Sequence, residues 1–126
     1  GRHAGPTREA LPATRYAVAM PDYTVTETHD LLGRDDVVVV DIREPHEVDA
    51  NHVPGMVHIP MSEFQDRLEE LPTDAELILF CRSGNRSGQV ADYLNSLGDW
   101  GEVANCMGGI LAWHEAGLPY EGGQPA

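Results

Sequence analysis

The chain contains no lysine. Its eight basic residues are all arginine, set against 21 acidic residues for a formal net charge of −13. Phosphate-rich partners carry the same sign, so nucleic acid and anionic membrane surfaces are not expected partners. Long apolar runs are missing as well. Val37–Val40 and Leu77–Phe80 are four residues each, where a membrane helix needs about 20. The N-terminus lacks the apolar stretch of a secretory signal. Cysteine is scarce. Cys81 and Cys106 are the only two, which allows one disulfide but no disulfide framework, and a reducing, cytoplasmic setting is expected.

What is present suits one domain. The 126 residues are 41% hydrophobic, enough for a single core and too short for two. Residues 1–20 show neither helical nor strand periodicity and read as a flexible tail, an arm or an expression remnant. A start at Gly1 rather than Met fits a processed or excised chain. Three arginines against Glu9 give this stretch +2, so the remaining 106 residues carry −15. A domain is expected over residues 21–120, with 121–126 (EGGQPA) a frayed end.

Between the tails two textures alternate. Continuous apolar runs at Val37–Val40 and Leu77–Phe80, with weaker ones at Val57–Ile59 and Glu102–Ala104, read as strands buried on both faces. Amphipathic stretches separate them. Ser62 and Gln65 suggest a capping box, followed by Phe64, Leu68 and Leu71 at helical spacing before Pro72. Val90, Leu94 and Leu97 repeat the pattern, with Gly98 a natural stop. Thr26–Leu32 ends at Gly33, and Gly109–Ala116 at Gly117. Strands alternating with helices predict an α/β sheet of parallel strands with helices on both faces. Ligands in such folds bind at the carboxyl ends of strands.

One segment carries the chemistry. ELILFCRSGNRSGQVADYL reads as strand, tight polar loop, helix, with Cys81 where the strand ends and a helix starting near Ser87. The loop Arg82, Ser83, Gly84, Asn85, Arg86 can curl its backbone N–H groups inward as an anion nest. Gly84 permits the positive φ this requires, and the following helix adds its positive end. Such surroundings favour thiolate over thiol, so Cys81 is the candidate nucleophile. Four residues separate Cys81 from Arg86. Tyrosine-phosphatase-type loops have one more, so this tighter loop suits a smaller guest than phosphate, such as one extra sulfur on Cys81.

CRSGNRS closely resembles the active-site loop of single-domain rhodaneses. VVVVDIREPHEVDANHVPGMVHIPM is similar to the family's first signature, and NCMGGILAW to its C-terminal Gly-Gly-hydrophobic-Trp segment. Order and spacing agree from about Tyr23 to Tyr120, with Asn51 where Gly is usual and Met56 where Ala is usual. The resemblance implies a three-layer α/β domain with a mostly parallel five-stranded sheet. It implies a sulfurtransferase that takes a sulfane sulfur from thiosulfate or a similar small anionic donor. Cys81 holds it as a persulfide and passes it to cyanide, a thiol or a sulfur-carrier protein. The loop from Arg82 to Ser87 would bind the persulfide, with Arg82 and Arg86 drawing in the anion. No cofactor or metal is implied, since the chemistry is akin to thiol–disulfide exchange. The alternative is a sulfur-relay or protein-binding module with little small-molecule turnover.

Other residues invite weighing. Asp41 and Arg43 end the first long strand, and the resemblance places them on the active-site rim with Glu47 as the partner of Arg43. His46, His52 and His58 recur every six residues, but on a helix, a turn and a strand, which does not suit a metal site. Cys106 reads as a buried free thiol rather than a resolving one, Gly108–Gly109 as a tight strand-to-helix turn in preference to a close approach to the loop, and Trp113 as core.

Overall fold

The computed structural model describes residues 22–126; the tail expected over residues 1–20 lies outside them. The elements in order are β1 (Asp22–Tyr23), α1 (Val25–Leu31), β2 (Val37–Asp41), α2 (Pro45–Ala50), β3 (Asn51–His52) and β4 (Val57–His58). A 3₁₀ segment (Met61–Glu70) follows, then β5 (Glu76–Phe80), α3 (Asn85–Leu97), β6 (Val103–Cys106), α4 (Gly109–Glu115) and β7 (Glu121–Gly122). Five strands form one sheet in the order β1-β6-β5-β2-β4, and every neighbouring pair is parallel. This is the α/β architecture predicted from the alternating texture. Among the described residues no helix is long and apolar enough to cross a membrane.

The apolar runs occupy the centre because they can bury both faces. Side chains alternate across a strand, so β5 sends Leu77 and Leu79 to one core and Ile78 and Phe80 to the other. The first core packs them against Phe64, Val90, Ala91 and Leu94. The second packs them against Val25, Ile110 and Trp113. Trp113 is fully buried, edge-on to Phe80 at 5.7 Å, with its indole N–H on the Pro119 carbonyl. Cys81 continues the β5 alternation on the α3 side.

Three local expectations change. The helix expected from Ser62 is a 3₁₀ segment broken at Arg67 (φ −124°, ψ 19°). Ser62 does not cap it, because its N–H and hydroxyl both donate to the Glu44 carboxylate. Arg67 is held at the break by Glu63 and Glu70. Capping boxes form instead at Thr24/Glu27 and Glu44/Glu47. The frayed end expected over residues 121–126 contains β7, which pairs antiparallel with β3, and the Gly123 N–H donates to the Ala50 carbonyl at 2.8 Å.

Candidate functional site

β5 is the central strand, and it delivers Cys81 to the carboxyl edge of the sheet. Helix α3 begins at Asn85, two residues earlier than the sequence suggests, because Gly84 takes the left-handed conformation (φ 96°) and caps it. The turn points three donors at the buried sulfur. The Gly84 N–H lies 3.1 Å from Cys81 Sγ, the Ser87 N–H 3.4 Å and the Ser87 hydroxyl 3.3 Å. Burial is the largest single influence on the thiol and pushes its pKa up. The donors of Ser87, Gly84 and Ser83 together outweigh it, and the Cys81 pKa falls below the usual thiol value. Burial leads on Cys106, reinforced by the nearby Cys81 and opposed by a hydrogen bond with Thr28, and its thiol is pushed up to about 11. Both cysteines are free and buried.

The inward turn of the amides has a cause outside the loop. The carbonyls of Cys81 and Arg82 accept from the N–H groups of Ile110 and Leu111, at 2.9 and 3.1 Å. These are unpaired donors of the first turn of α4. With its carbonyls drawn toward α4, the loop presents its N–H groups to the sulfur. The approach needs Gly109. A Cβ there would lie 2.2 Å from the Cys81 oxygen. Gly108–Gly109 therefore makes the close approach to the loop that the sequence sets second to a tight turn.

The rim residues are connected differently from expectation. Glu47 does not pair with Arg43. Its carboxylate takes Arg86 in a two-pronged bond, both contacts 2.9 Å, and also accepts the Glu44 N–H of its own capping box. The Arg86 guanidinium leads the influences that hold the Glu47 carboxyl at about 2. Arg43 folds back on Asp41 at 2.9 Å and donates to the Asn51 side chain and backbone. All three are buried. Asn51, a departure from the family's usual Gly, thus supplies an acceptor that Gly lacks. Of the two loop arginines, Arg86 is neutralised by Glu47, and Arg82 donates through Nε at 3.0 Å to the Ala126 carbonyl. Ser83 and Asn85 are exposed on the loop's outer face.

A cleft of about 210 Å³ runs beside the loop between Arg43, His46, Glu47 and Arg82, bounded by Pro125 and Ala126. The three histidines separate: His46 lies on α2, His52 faces Glu121 at 3.4 Å, and His58 donates to the Arg43 carbonyl at 2.7 Å. No group of three metal-ligating side chains forms among the described residues.

This fold and loop have relatives. A sulfurtransferase of Allochromatium vinosum is 42% identical over 89 residues, spanning 71% of this chain and 82% of that protein. The thiosulfate sulfurtransferase GlpE of Pseudoalteromonas translucida is 31% identical over 99 residues, or 79% of this chain and 93% of that one. The crystal structure of a thiosulfate sulfurtransferase from Pseudomonas aeruginosa superposes with a TM-score of 0.73 at 29% identity, covering 94% of this chain and 22% of that one. The family model of the rhodanese-like domain matches residues 24–116, and the chain belongs to that family of sulfurtransferase-type domains.

Proposed function

We propose that the protein moves a sulfane sulfur from thiosulfate, or a similar small anionic donor, to a thiophilic acceptor through a persulfide on Cys81. The observation that carries this reading is the sulfur with three inward donors at 3.1–3.4 Å in a six-residue loop. The Cys81 thiolate attacks the outer sulfur of thiosulfate. A Cys81 S–S bond forms, the donor's S–S bond breaks with its electron pair, and sulfite leaves. The negative charge now rests on the terminal persulfide sulfur, beside the N–H groups from Arg82 to Ser87. Cyanide or a thiolate then attacks that sulfur, carries it away and restores the Cys81 thiolate. Preorganised amides suit this cycle because the anion remains in the loop at every stage.

In this reading Arg82 meets the donor. Arg86 and Glu47 shape the loop, and Asp41 with Arg43 ties the end of β2 to Asn51. The acceptor in the cell would be a thiol or a sulfur-carrier protein. The test joins two measurements. Thiocyanate formation from thiosulfate and cyanide should be lost in Cys81→Ser. The intact wild-type protein should gain about one sulfur, roughly 32 Da, on treatment with thiosulfate. Retained activity in the variant, or no added mass, refutes the proposal.

A further inference from the structure

Ser87 stands between two acceptors. Its hydroxyl lies 2.6 Å from Asn105 Oδ1 and 3.3 Å from Cys81 Sγ. A hydroxyl has one proton, so it serves one of them at a time. Asn105 sits on β6, opposite Leu79 in register, and its amide lies against Gly88 of α3. A Cβ at that position would come within 3.3 Å of Asn105 Nδ2, so glycine leaves the amide room to turn. With neutral thiol at Cys81, the short bond to Asn105 is the better use of the Ser87 proton. Once the thiol proton has left to solvent, the proton is better placed on the sulfur, because bonds to charged acceptors are the stronger. The Ser87 oxygen then faces Asn105 without a proton between them. Two acceptors at 2.6 Å repel unless the amide rotates and offers Nδ2–H instead.

We propose that Asn105 is a positioning residue that acts through Ser87, turning its amide to aim the hydroxyl proton at the Cys81 sulfur when that sulfur is anionic. The resulting chain, Nδ2–H to Oγ–H to Sγ⁻, strengthens each donor through the next. It rests on the reading of Cys81 as the reactive thiolate. The titratable and charged groups around the sulfur are few. Arg86 on α3 acts on it from a distance while bound to Glu47 of α2. Cys106 on β6 is held neutral by burial. Asp41 and Arg43 close on each other at the end of β2, and Arg82 points to Ala126.

Asn105→Asp offers only acceptors and cannot make the turn. The experiment is the pH profile of Cys81 alkylation by iodoacetamide, in Cys106→Ala protein, with and without Ser87→Ala. Asn105→Asp should move the profile's midpoint up by about one pH unit, which is tenfold less thiolate at a fixed pH below it. In the Ser87→Ala background the same change should move it by under about a third of that. An unchanged midpoint in Asn105→Asp overturns the proposal. So does an equal shift with and without Ser87, which would mean simple charge repulsion. Circular dichroism keeps misfolded variants out of the comparison, and Asn105→Gln, which retains the amide, should recover most of the shift. The readout does not involve sulfur transfer. A failed transfer assay with the shift intact removes the proposed function alone, and transfer without the shift removes this inference alone.

Discussion

The contact between the active loop and α4 makes a prediction that geometry can size. Gly109→Ala places a methyl group 2.2 Å from the Cys81 oxygen and 2.6 Å from both the carbonyl carbon and oxygen of Arg82. These are backbone atoms and cannot swing aside. Relief to an ordinary contact requires the loop and α4 to separate by roughly 1 Å, which weakens the bonds from Ile110 and Leu111. Two buried hydrogen bonds contribute about 1 kcal/mol each. Overpacking adds about 1–3 kcal/mol, and an alanine at φ 55° adds about 1 kcal/mol. The expected loss is about 4–6 kcal/mol. Urea unfolding at neutral pH measures it. Gly117→Ala is the matched control, since that residue also has positive φ (74°) but nothing within 4 Å of its Cβ. It should lose only about 1 kcal/mol. The loop in Gly109→Ala should also release its inward amides, so the Cys81 alkylation midpoint should rise. A loss equal to that of Gly117→Ala, with an unmoved midpoint, would refute the account of α4 as the element that orients the loop.

The remaining predictions concern charge. Because the Glu47 carboxyl lies at about 2 against an ordinary value near 4.5, its pair with Arg86 stabilises fully above about pH 4.5, and that stabilisation is lost as pH falls toward 2. The shift corresponds to about 3 kcal/mol as a ceiling. Solvent screening of the partly exposed pair (side chains 19% and 32% exposed) reduces this to about 1–2 kcal/mol. Urea midpoints of wild type and Glu47→Gln should therefore differ at pH 7, with the gap narrowing below about pH 4.5 and closing only near pH 2, and a gap that widens on acidification would contradict the assignment. Arg43→Met leaves the buried Asp41 carboxylate without its partner and should lose about 3–5 kcal/mol; a loss under about 1 kcal/mol would show that the pair is not buried as described. Arg82→Ala should raise the thiosulfate KM and flatten its salt dependence. Arg86→Ala should raise it less, because Glu47 already compensates that charge, and equal effects would show that the pair opens when the donor arrives.

The alternation of apolar runs with amphipathic stretches was enough to read the fold class. Val37–Val40 and Leu77–Phe80 read as strands because they are short, apolar throughout and bounded by polar or turn-forming residues. The position of Cys81 at a strand end, the positive φ of Gly84 and the stops at Gly98 and Gly117 are equally local, and all are legible because they depend on residues within one turn. The 3₁₀ segment was not. Its apolar spacing is helical, and only Glu44, eighteen residues before Ser62, diverts the expected cap.

Chain order alone determined a strand, a six-residue loop and a helix around one cysteine, together with a cationic loop on an acidic chain. Tertiary structure decided what those charges do. Glu47 and Arg86 are 39 residues apart, and they meet because α2 and α3 both begin over the carboxyl edge of the sheet. That meeting leaves Arg43 to Asp41 and Asn51, and leaves Arg82 on the backbone oxygen of Ala126. The same edge brings α4 onto the loop, so the amide cradle is a product of packing as well as of the glycine within it. Backbone preferences act over a few residues, and so they can be read from sequence. Ion pairs and close backbone approaches depend on which elements cross, and only the folded chain settles that.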